Sequence, residues 1–124
     1  MTVLVDSDVL IEVTRNRNEE IVQRWLELSR SETLILYSPV TAAELWARVM
    51  PREEELVRRL FASLECAVVD PTTGTMAGEY LRQFHRSHGV EVADALIAAS
   101  AVRHGSRLWT RNRKHLPMRD VEFY

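Results

Sequence analysis

The sequence predicts an α/β fold in which a central, mostly parallel sheet of four to five strands lies between two layers of helices. Short apolar runs, such as Val3-Leu4-Val5, alternate along the chain with longer segments of helical periodicity. The connections between these segments are short, as is usual for right-handed crossovers between parallel strands. Because the 124 residues contain no linker, repeat or low-complexity segment, we expect a single domain over residues 1–124.

The predicted strands are apolar runs that end at polar or turn-forming residues. An all-apolar run is typical of a strand that is buried on both faces of a sheet. The first run is followed at once by Asp6, and the second by Ser38 and Pro39, where proline ends the hydrogen-bond ladder. We predict strands at 3–5, 34–37, 66–69 and 107–110, with 121–123 as a candidate fifth strand.

The predicted helices are identified by apolar periodicity together with start and stop signals. Ser7 and Asn18 are suited to cap the first two helices. Thr41 and Glu44 have the spacing of a capping box, and Gly89 is suited to end the fifth helix. The predicted helices cover 8–15, the segment from residue 18 to 28, 41–49, 52–64, the segment from the turn at 70–73 to 88, and 92–104.

Composition and charge restrict the function classes. Hydrophobic residues make up 46% of the chain and charged residues 27%, as in ordinary globular proteins. No apolar stretch approaches the length of a membrane span, so we expect a cytoplasmic protein that does not associate with membranes. Cys66, the only cysteine, lies in an apolar run and is expected to be buried.

The net charge of −2 does not by itself indicate nucleic-acid binding. The distribution of charge is more informative, because residues 103–119 contain six basic residues and no acidic one. Arginine is well suited to paired contacts with phosphate. A phosphate-binding face and a plain solvated face are both consistent with this segment.

Three acidic residues are predicted to meet at one edge of the sheet. Asp6 directly follows the first strand, Glu44 lies in the first turn of the third helix, and Asp94 lies near the start of the last helix. Strand carboxyl ends and helix amino ends share one edge of a parallel sheet, where ligands bind. Two carboxylates about 5 Å apart repel by about 3 kcal/mol at an effective dielectric constant of 20. Such crowding favours a bound cation, and an all-oxygen site suits Mg²⁺ or Mn²⁺ rather than zinc.

Each of these acids also has a purely structural interpretation. Glu44 would complete the capping box, Asp6 would cap a strand-to-helix turn, and Asp94 would complement a helix dipole. Their joint placement on one edge favours the functional interpretation. Asp8 and Glu91 are secondary candidates, since a role in the first turn of a helix is sufficient for Asp8.

Four segments resemble, in order, the motifs of PIN-domain nucleases, and especially the VapC toxins of bacterial toxin–antitoxin pairs. These segments cover 3–11, 38–45, 94–101 and 110–115, so the resemblance extends over essentially the whole chain. It implies a PIN-like three-layer α/β/α sandwich. It also implies Mg²⁺- or Mn²⁺-dependent hydrolysis of RNA phosphodiester bonds that leaves 5′-phosphate and 3′-hydroxyl ends.

The same resemblance implies roles for individual residues. Asp6, Glu44 and Asp94 are the implied metal ligands and catalytic residues. Asn112 stands where many members of the family have a fourth acid, so it offers an oxygen without a charge. The number of metal ions therefore stays open. Thr110 is implied to position a water molecule or a phosphate, although a purely structural role at the end of a strand explains it equally well.

The resemblance also predicts partners. An RNA substrate is implied, and the basic residues next to the last motif are candidates for contacts with its backbone. These residues are Arg111, Arg113 and Lys114. A cognate VapB-type antitoxin is implied as well, together with a homodimer and toxin–antitoxin hetero-oligomers.

Two other functions stay open at this point. A phosphoacceptor receiver domain has the same size and fold class, with Asp6 and Asp8 as its acidic pair and Asp70 as the phosphorylated residue. That interpretation lacks the lysine expected after a fifth strand and leaves the other two acids without a role. A PIN fold with weak catalysis that serves as an RNA-binding module is suggested by Asn112.

Overall fold

The computed structural model describes all 124 residues and is built around a four-stranded parallel sheet. The strands are β1 (Thr2–Val5), β2 (Leu34–Tyr37), β3 (Glu65–Cys66) and β4 (Arg107–Trp109). Their spatial order is β3-β2-β1-β4, so β1 pairs with a parallel neighbour on each side. The first strand is therefore central, as its uninterrupted apolar sequence predicts.

Six α-helices surround the sheet. They are α1 (Ser7–Arg15), α2 (Glu19–Arg30), α3 (Pro39–Arg48), α4 (Glu54–Ala62), α5 (Pro71–His88) and α6 (Val92–Arg103). Two short 3₁₀ helices cover Pro51–Glu53 and Arg113–His115. None of the helices combines the length and hydrophobicity that crossing a lipid bilayer would require.

Alternate residues of β1 enter separate hydrophobic cores on the two faces of the sheet. Leu4 packs in a core to which α5 and α6 contribute. Val3 and Val5 point to the opposite face and pack in a core to which α1, α2, α3 and α4 contribute. The predicted arrangement of three layers is confirmed.

The first helix begins one residue earlier than predicted. Asp6, rather than Ser7, is the N-cap of α1, and its carboxylate accepts a hydrogen bond from the backbone N–H of Ser7 at 2.8 Å. The prediction that Ser7 is the cap is therefore wrong. The helix begins at once because Asp6 has the extended backbone and the side-chain acceptor that an N-cap needs.

The third helix also begins earlier than predicted. Ser38 is the N-cap of α3, and Pro39 occupies the first helical position, where its fixed φ is favourable. Thr41 therefore lies inside the helix, where it is fully buried and donates a hydrogen bond to the Val5 carbonyl at 3.5 Å. The capping box predicted for Thr41 is wrong, and Glu44 moves to the second turn of α3.

The outer strands are shorter than predicted. β3 is an edge strand of two residues, and Cys66 within it is exposed, so the prediction of a buried cysteine is wrong. The candidate fifth strand is reduced to one isolated parallel bridge between Leu108 and Phe123. The predicted helix 52–64 is divided between the first 3₁₀ helix and α4. The division occurs at Glu53, whose carboxylate accepts hydrogen bonds from Arg15 and from the Met50 backbone N–H.

One edge of the sheet collects the elements that matter for function. The chain leaves β1, β2 and β4 at their carboxyl ends on this edge. Two of these strands lead directly into helices, because α1 follows β1 after one residue and α3 follows β2 after one residue. Polar residues at these junctions are thus brought together even though they are far apart in the sequence.

Candidate active site

A cleft of about 230 Å³ lies at the carboxyl edge of the sheet. Four carboxylate side chains line it together with a few polar and apolar neighbours. Its lining residues are Asp6, Ser7, Asp8, Glu44, Arg48, Ala93, Asp94, Ile97 and Asn112. The structure therefore brings together Asp6, Glu44 and Asp94, as expected from the sequence, and adds Asp8 to them.

Asp6 is held from two sides at the start of α1. One carboxylate oxygen accepts the Ser7 backbone N–H, and the other accepts the Thr110 hydroxyl at 2.9 Å. The Asp6 backbone N–H also donates to the Trp109 carbonyl, which continues the β1–β4 pairing beyond the strands. These contacts fix the orientation of the Asp6 carboxylate.

Thr110 links the last motif of the chain to both aspartates of the first. Its hydroxyl lies 2.9 Å from Asp6 and 3.4 Å from Asp8, and its oxygen accepts the backbone N–H of Asn112 at 3.1 Å. Thr110 is buried, so these contacts are made away from bulk water. In this structure it positions carboxylates directly.

Glu44 and Asp94 are each anchored by one oxygen. Glu44 accepts the Ser7 hydroxyl at 3.2 Å. Asp94, the third residue of α6, accepts the backbone N–H of Glu91 at 3.0 Å, as in a capping box. Glu91 itself is exposed and does not line the cleft. The second oxygen of Glu44 and that of Asp94 accept no hydrogen bond from the protein.

Asp8, which the sequence analysis treated as a secondary candidate, lies in the cleft. One of its oxygens accepts the Arg111 backbone N–H at 3.0 Å. Its other oxygen, Oδ1, is buried and has no hydrogen-bond partner. A buried carboxylate oxygen without a partner is costly, and a cation or a hydrogen-bond donor beside it would remove that cost.

The crowding of carboxylates changes their acidity. Burial, partly opposed by the Thr110 hydroxyl, raises the pKa of Asp6, and the Asp94 charge raises it further. Burial followed by repulsion from Asp6 raises the pKa of Asp8 to about 6. Burial and then Asp6 also raise the pKa of Glu44. All three shifts have the direction expected where negative groups lack a compensating cation.

The donor chemistry of the cleft fits a hard divalent cation. The free oxygens belong to carboxylates and to the side-chain carbonyl of Asn112, and such ligands suit Mg²⁺ or Mn²⁺. The amide nitrogen of Asn112 lies 3.2 Å from His115 Nδ1, so its carbonyl oxygen is not used in that contact. No three acidic, histidine or cysteine side chains are arranged as a finished set of metal ligands. The cleft contains oxygen atoms that can bind a metal ion, but they do not form a complete coordination shell.

The basic residues predicted to bind RNA make different contacts. Arg111 forms an ion pair with the buried Glu12 at 3.2 Å. Arg113 donates to the carbonyl of Tyr124 at 3.1 Å, and Lys114 is exposed. None of the three lines the cleft, so their contact with RNA stays a prediction. The basic residue that does line the cleft is Arg48, which the sequence analysis did not select.

Asp70 lies away from the cleft. It caps α5, where it accepts hydrogen bonds from Thr73 and pairs with Arg103 at 3.2 Å. A receiver domain would require Asp70 beside Asp6 and Asp8, and the structure does not bring these three residues together.

Replacing Thr110 with Val is expected to lower the free energy of unfolding by about 1–3 kcal/mol, because buried acceptors lose their donor. The pKa of Asp6 should rise further, since the hydroxyl of Thr110 holds it down. Urea denaturation at neutral pH measures the stability, and Thr110→Ser is the matched control because it keeps the hydroxyl. A valine variant as stable as the wild type would contradict this role of the hydroxyl.

Comparisons with known proteins agree with this architecture. A family model described as the PIN domain matches residues 3–123. The chain is 35% identical over 117 residues to the protein named Ribonuclease VapC10 of Mycobacterium tuberculosis, with 94% of this chain and 86% of that protein covered.

The solved structures with a similar fold include two that cover nearly the whole chain. One is VapBC2 from Rickettsia felis bound to a DNA fragment from its promoter, with a TM-score of 0.82 and 17% identity, covering 100% of this chain and 98% of that chain. The other is a toxin–antitoxin complex from Klebsiella pneumoniae, with a TM-score of 0.72 and 21% identity, covering 96% of this chain and 94% of that chain.

Proposed function

This chain belongs to the PIN-domain family, and from that premise we propose that it is the toxin of a type II toxin–antitoxin system and acts as an endoribonuclease. A relative of this chain at 35% identity is named a ribonuclease. Residues 1–124 form one PIN domain in this proposal, and the chain acts in the cytoplasm, where its RNA substrate is found.

The observation that carries the proposal is the cleft with four carboxylates. Asp6, Asp8, Glu44 and Asp94 come from three distant parts of the chain and share one edge of the sheet. Three of them have a raised pKa, and Asp8 keeps a buried oxygen without a partner. Folding maintains this crowding at a cost in stability, which is typical of a functional site.

Asp6, Glu44 and Asp94 are the residues that would hold Mg²⁺ or Mn²⁺. When bound, such a cation acts as a Lewis acid that activates water and offsets the charge of the phosphate. Thr110 and Ser7 orient the ligands by donating to Asp6 and Glu44.

Asp8 and Asn112 complete the oxygen donors around the cleft. The family resemblance implies an acid near position 112, and in this chain Asp8 supplies the fourth carboxylate instead. The proposal therefore gives Asp8 the charge that Asn112 lacks.

The reaction is the hydrolysis of an RNA phosphodiester. A water oxygen forms a bond to phosphorus, and the bond from phosphorus to the 3′ oxygen breaks. The departing 3′ oxygen takes up a proton, which solvent can supply. The products are a 5′-phosphate and a 3′-hydroxyl.

The partner is a cognate antitoxin of the VapB type, with which the toxin forms a hetero-oligomer. The fold neighbours from Rickettsia felis and Klebsiella pneumoniae are toxin–antitoxin assemblies. Recognition of a segment of the antitoxin in a groove of the toxin is a common mode of peptide binding. A homodimer of the toxin is part of the same proposal.

Cleavage of total RNA tests the proposed function. The purified chain is incubated with RNA in Mg²⁺, in Mn²⁺ and in EDTA, and the new ends are mapped by ligation that requires a 5′-phosphate. We expect discrete metal-dependent cuts that the purified antitoxin suppresses. Tight RNA binding without cleavage in either metal would instead identify an RNA-binding module, as Asn112 in place of an acid suggests.

A further inference from the structure

We propose that Arg48 binds a phosphate of the RNA substrate close to the phosphodiester that is cut. This inference rests on the proposed function of the cleft, because it names how that site holds its substrate. Arg48 lies within the cleft but outside the carboxylate cluster, and no motif of the sequence analysis contains it.

The position of Arg48 is set by α3. It follows Glu44 by four residues, so the two side chains leave the same face of the helix one turn apart. Its backbone carbonyl accepts a hydrogen bond from Arg15 at 3.1 Å, and Arg15 is in turn paired with the buried Glu53. These contacts hold the backbone of α3 in place at Arg48.

Within the protein, the guanidinium of Arg48 acts on Glu44 through its charge, which partly offsets the rise in the pKa of that carboxyl. The guanidinium is exposed and makes no hydrogen bond or ion pair, even with Glu44 on the same helix face. The neighbouring arginines are engaged, since Arg15 pairs with Glu53 and Arg111 pairs with Glu12. Arg48 is therefore the cation at the cleft that is free to meet a ligand.

The charge of the cleft explains why a substrate needs this cation. Four carboxylates line the cleft, and one divalent ion offsets only half of their charge when all are ionised. A phosphodiester chain brings further negative charge to the same place. Arginine presents planar paired donors that match phosphate oxygens, and it is always ionised. Arg48 thus reduces the repulsion that the approaching RNA backbone meets.

The test uses Arg48→Ala and Arg48→Lys, with Arg30→Ala as the matched control. Arg30 is an exposed arginine at the last residue of α2 and does not line the cleft. Single-stranded RNA oligonucleotides are prepared in which one phosphate at a time is replaced by an uncharged methylphosphonate. Cleavage is measured in Mg²⁺, and binding is measured separately by fluorescence anisotropy in Ca²⁺.

We expect Arg48→Ala to weaken RNA binding and raise KM by about tenfold, with less than about a threefold change in kcat. The plot of the logarithm of the binding constant against the logarithm of the salt concentration should become less steep by about 0.7. This is the change expected for one lost phosphate contact on a single strand. A methylphosphonate at one position should weaken RNA binding by the wild type and leave RNA binding by Arg48→Ala unchanged. Lysine should restore part of the affinity, and Arg30→Ala should match the wild type.

Equal effects of Arg48→Ala and Arg30→Ala on RNA binding would overturn the proposal. The proposal would also be overturned if the losses of RNA affinity caused by Arg48→Ala and by the methylphosphonate were additive at every position. In that case no single phosphate would depend on Arg48 for its contribution to binding. A variant that loses antitoxin binding but keeps normal RNA binding would assign Arg48 to the protein partner instead. Absence of cleavage by the wild type would overturn the proposed function, whereas the role of Arg48 is decided by the binding measurements.

Discussion

Replacing Asp6 with Asn is expected to lower RNA cleavage at least a thousandfold while leaving the fold intact. A thousandfold loss corresponds to about 4 kcal/mol of transition-state stabilisation, which is in the range that a bound metal ion supplies. The fold should survive because asparagine is also a good N-cap and keeps an oxygen for the Ser7 backbone N–H and α1.

The chain offers a matched control for this substitution. Asp70 is the N-cap of α5, as Asp6 is of α1, but it lies outside the cleft. Asp70→Asn therefore changes the same chemical group at the same kind of helix position. We expect it to cleave RNA at nearly the wild-type rate. The measurement is the initial rate of RNA cleavage by both variants, with circular dichroism as the check on folding. A folded Asp6→Asn variant with wild-type turnover would show that Asp6 is not part of the site.

In the absence of metal, the protein is expected to lose stability as the pH rises from about 5 to about 7. The pKa of Asp8 is about 6 in the folded protein, compared with 3.8 for an unperturbed aspartate, as in the unfolded chain. The folded state therefore binds more protons over this pH range. Unfolding therefore becomes easier as the pH increases. The raised pKa of Asp6 and that of Glu44 act in the same direction. For Asp8 the expected loss is of the order of 1–2 kcal/mol, after allowance for solvent screening of this partly exposed group.

Thermal melting in EDTA at several pH values measures this effect. Glu53 and Asp70 have a lowered pKa, so their contribution is lost only at lower pH and does not obscure the window above pH 5. Asp8→Asn should melt above the wild type at pH 7 and approach it near pH 4.5. A wild type that is equally stable at pH 5 and pH 7, with no gain from Asp8→Asn, would mean that the carboxylates are not crowded.

The sequence predicted the convergence of Asp6, Glu44 and Asp94 because topology alone determines it. Asp6 directly follows β1, Glu44 lies in the helix that follows β2, and Asp94 lies near the start of α6, the helix that leads into β4. Each position is at the carboxyl edge of a parallel sheet. The error of two residues in the start of α3 moved Glu44 from the predicted first turn to the second but left it on this edge. That part of the site is insensitive to the exact boundaries of the elements.

The parts that the sequence did not reveal depend on contacts between distant residues. Asp8 was understated because nothing local shows that Thr110 and Arg111 will approach it from the other end of the chain. Arg111 was predicted to contact the RNA backbone, and nothing local shows that it also pairs with Glu12, another long-range contact. Arg48 could have been found, since its spacing of four residues from Glu44 places both on one face of a helix.

The exposure of Cys66 could not be predicted for a different reason. Whether an apolar strand is central or at the edge depends on the spatial order of the strands, and β3 lies at the end of the order β3-β2-β1-β4. An edge strand of two residues leaves its side chains partly uncovered. Periodicity and composition contain no information on that order.

We propose that carboxylates from distant segments together bind one kind of ligand, a hard divalent cation. Calorimetric titration of Mn²⁺ into the metal-free protein at pH 7 tests it most directly, with Asp6→Asn, Glu44→Gln and Asp94→Asn beside the wild type. We expect saturable binding of Mn²⁺ by the wild type and binding at least tenfold weaker in each variant. The melting temperature of the wild type should rise by several degrees at a hundredfold excess of Mn²⁺ over the dissociation constant. Equal Mn²⁺ affinity in the wild type and all three variants, or no binding at millimolar Mn²⁺, would contradict it.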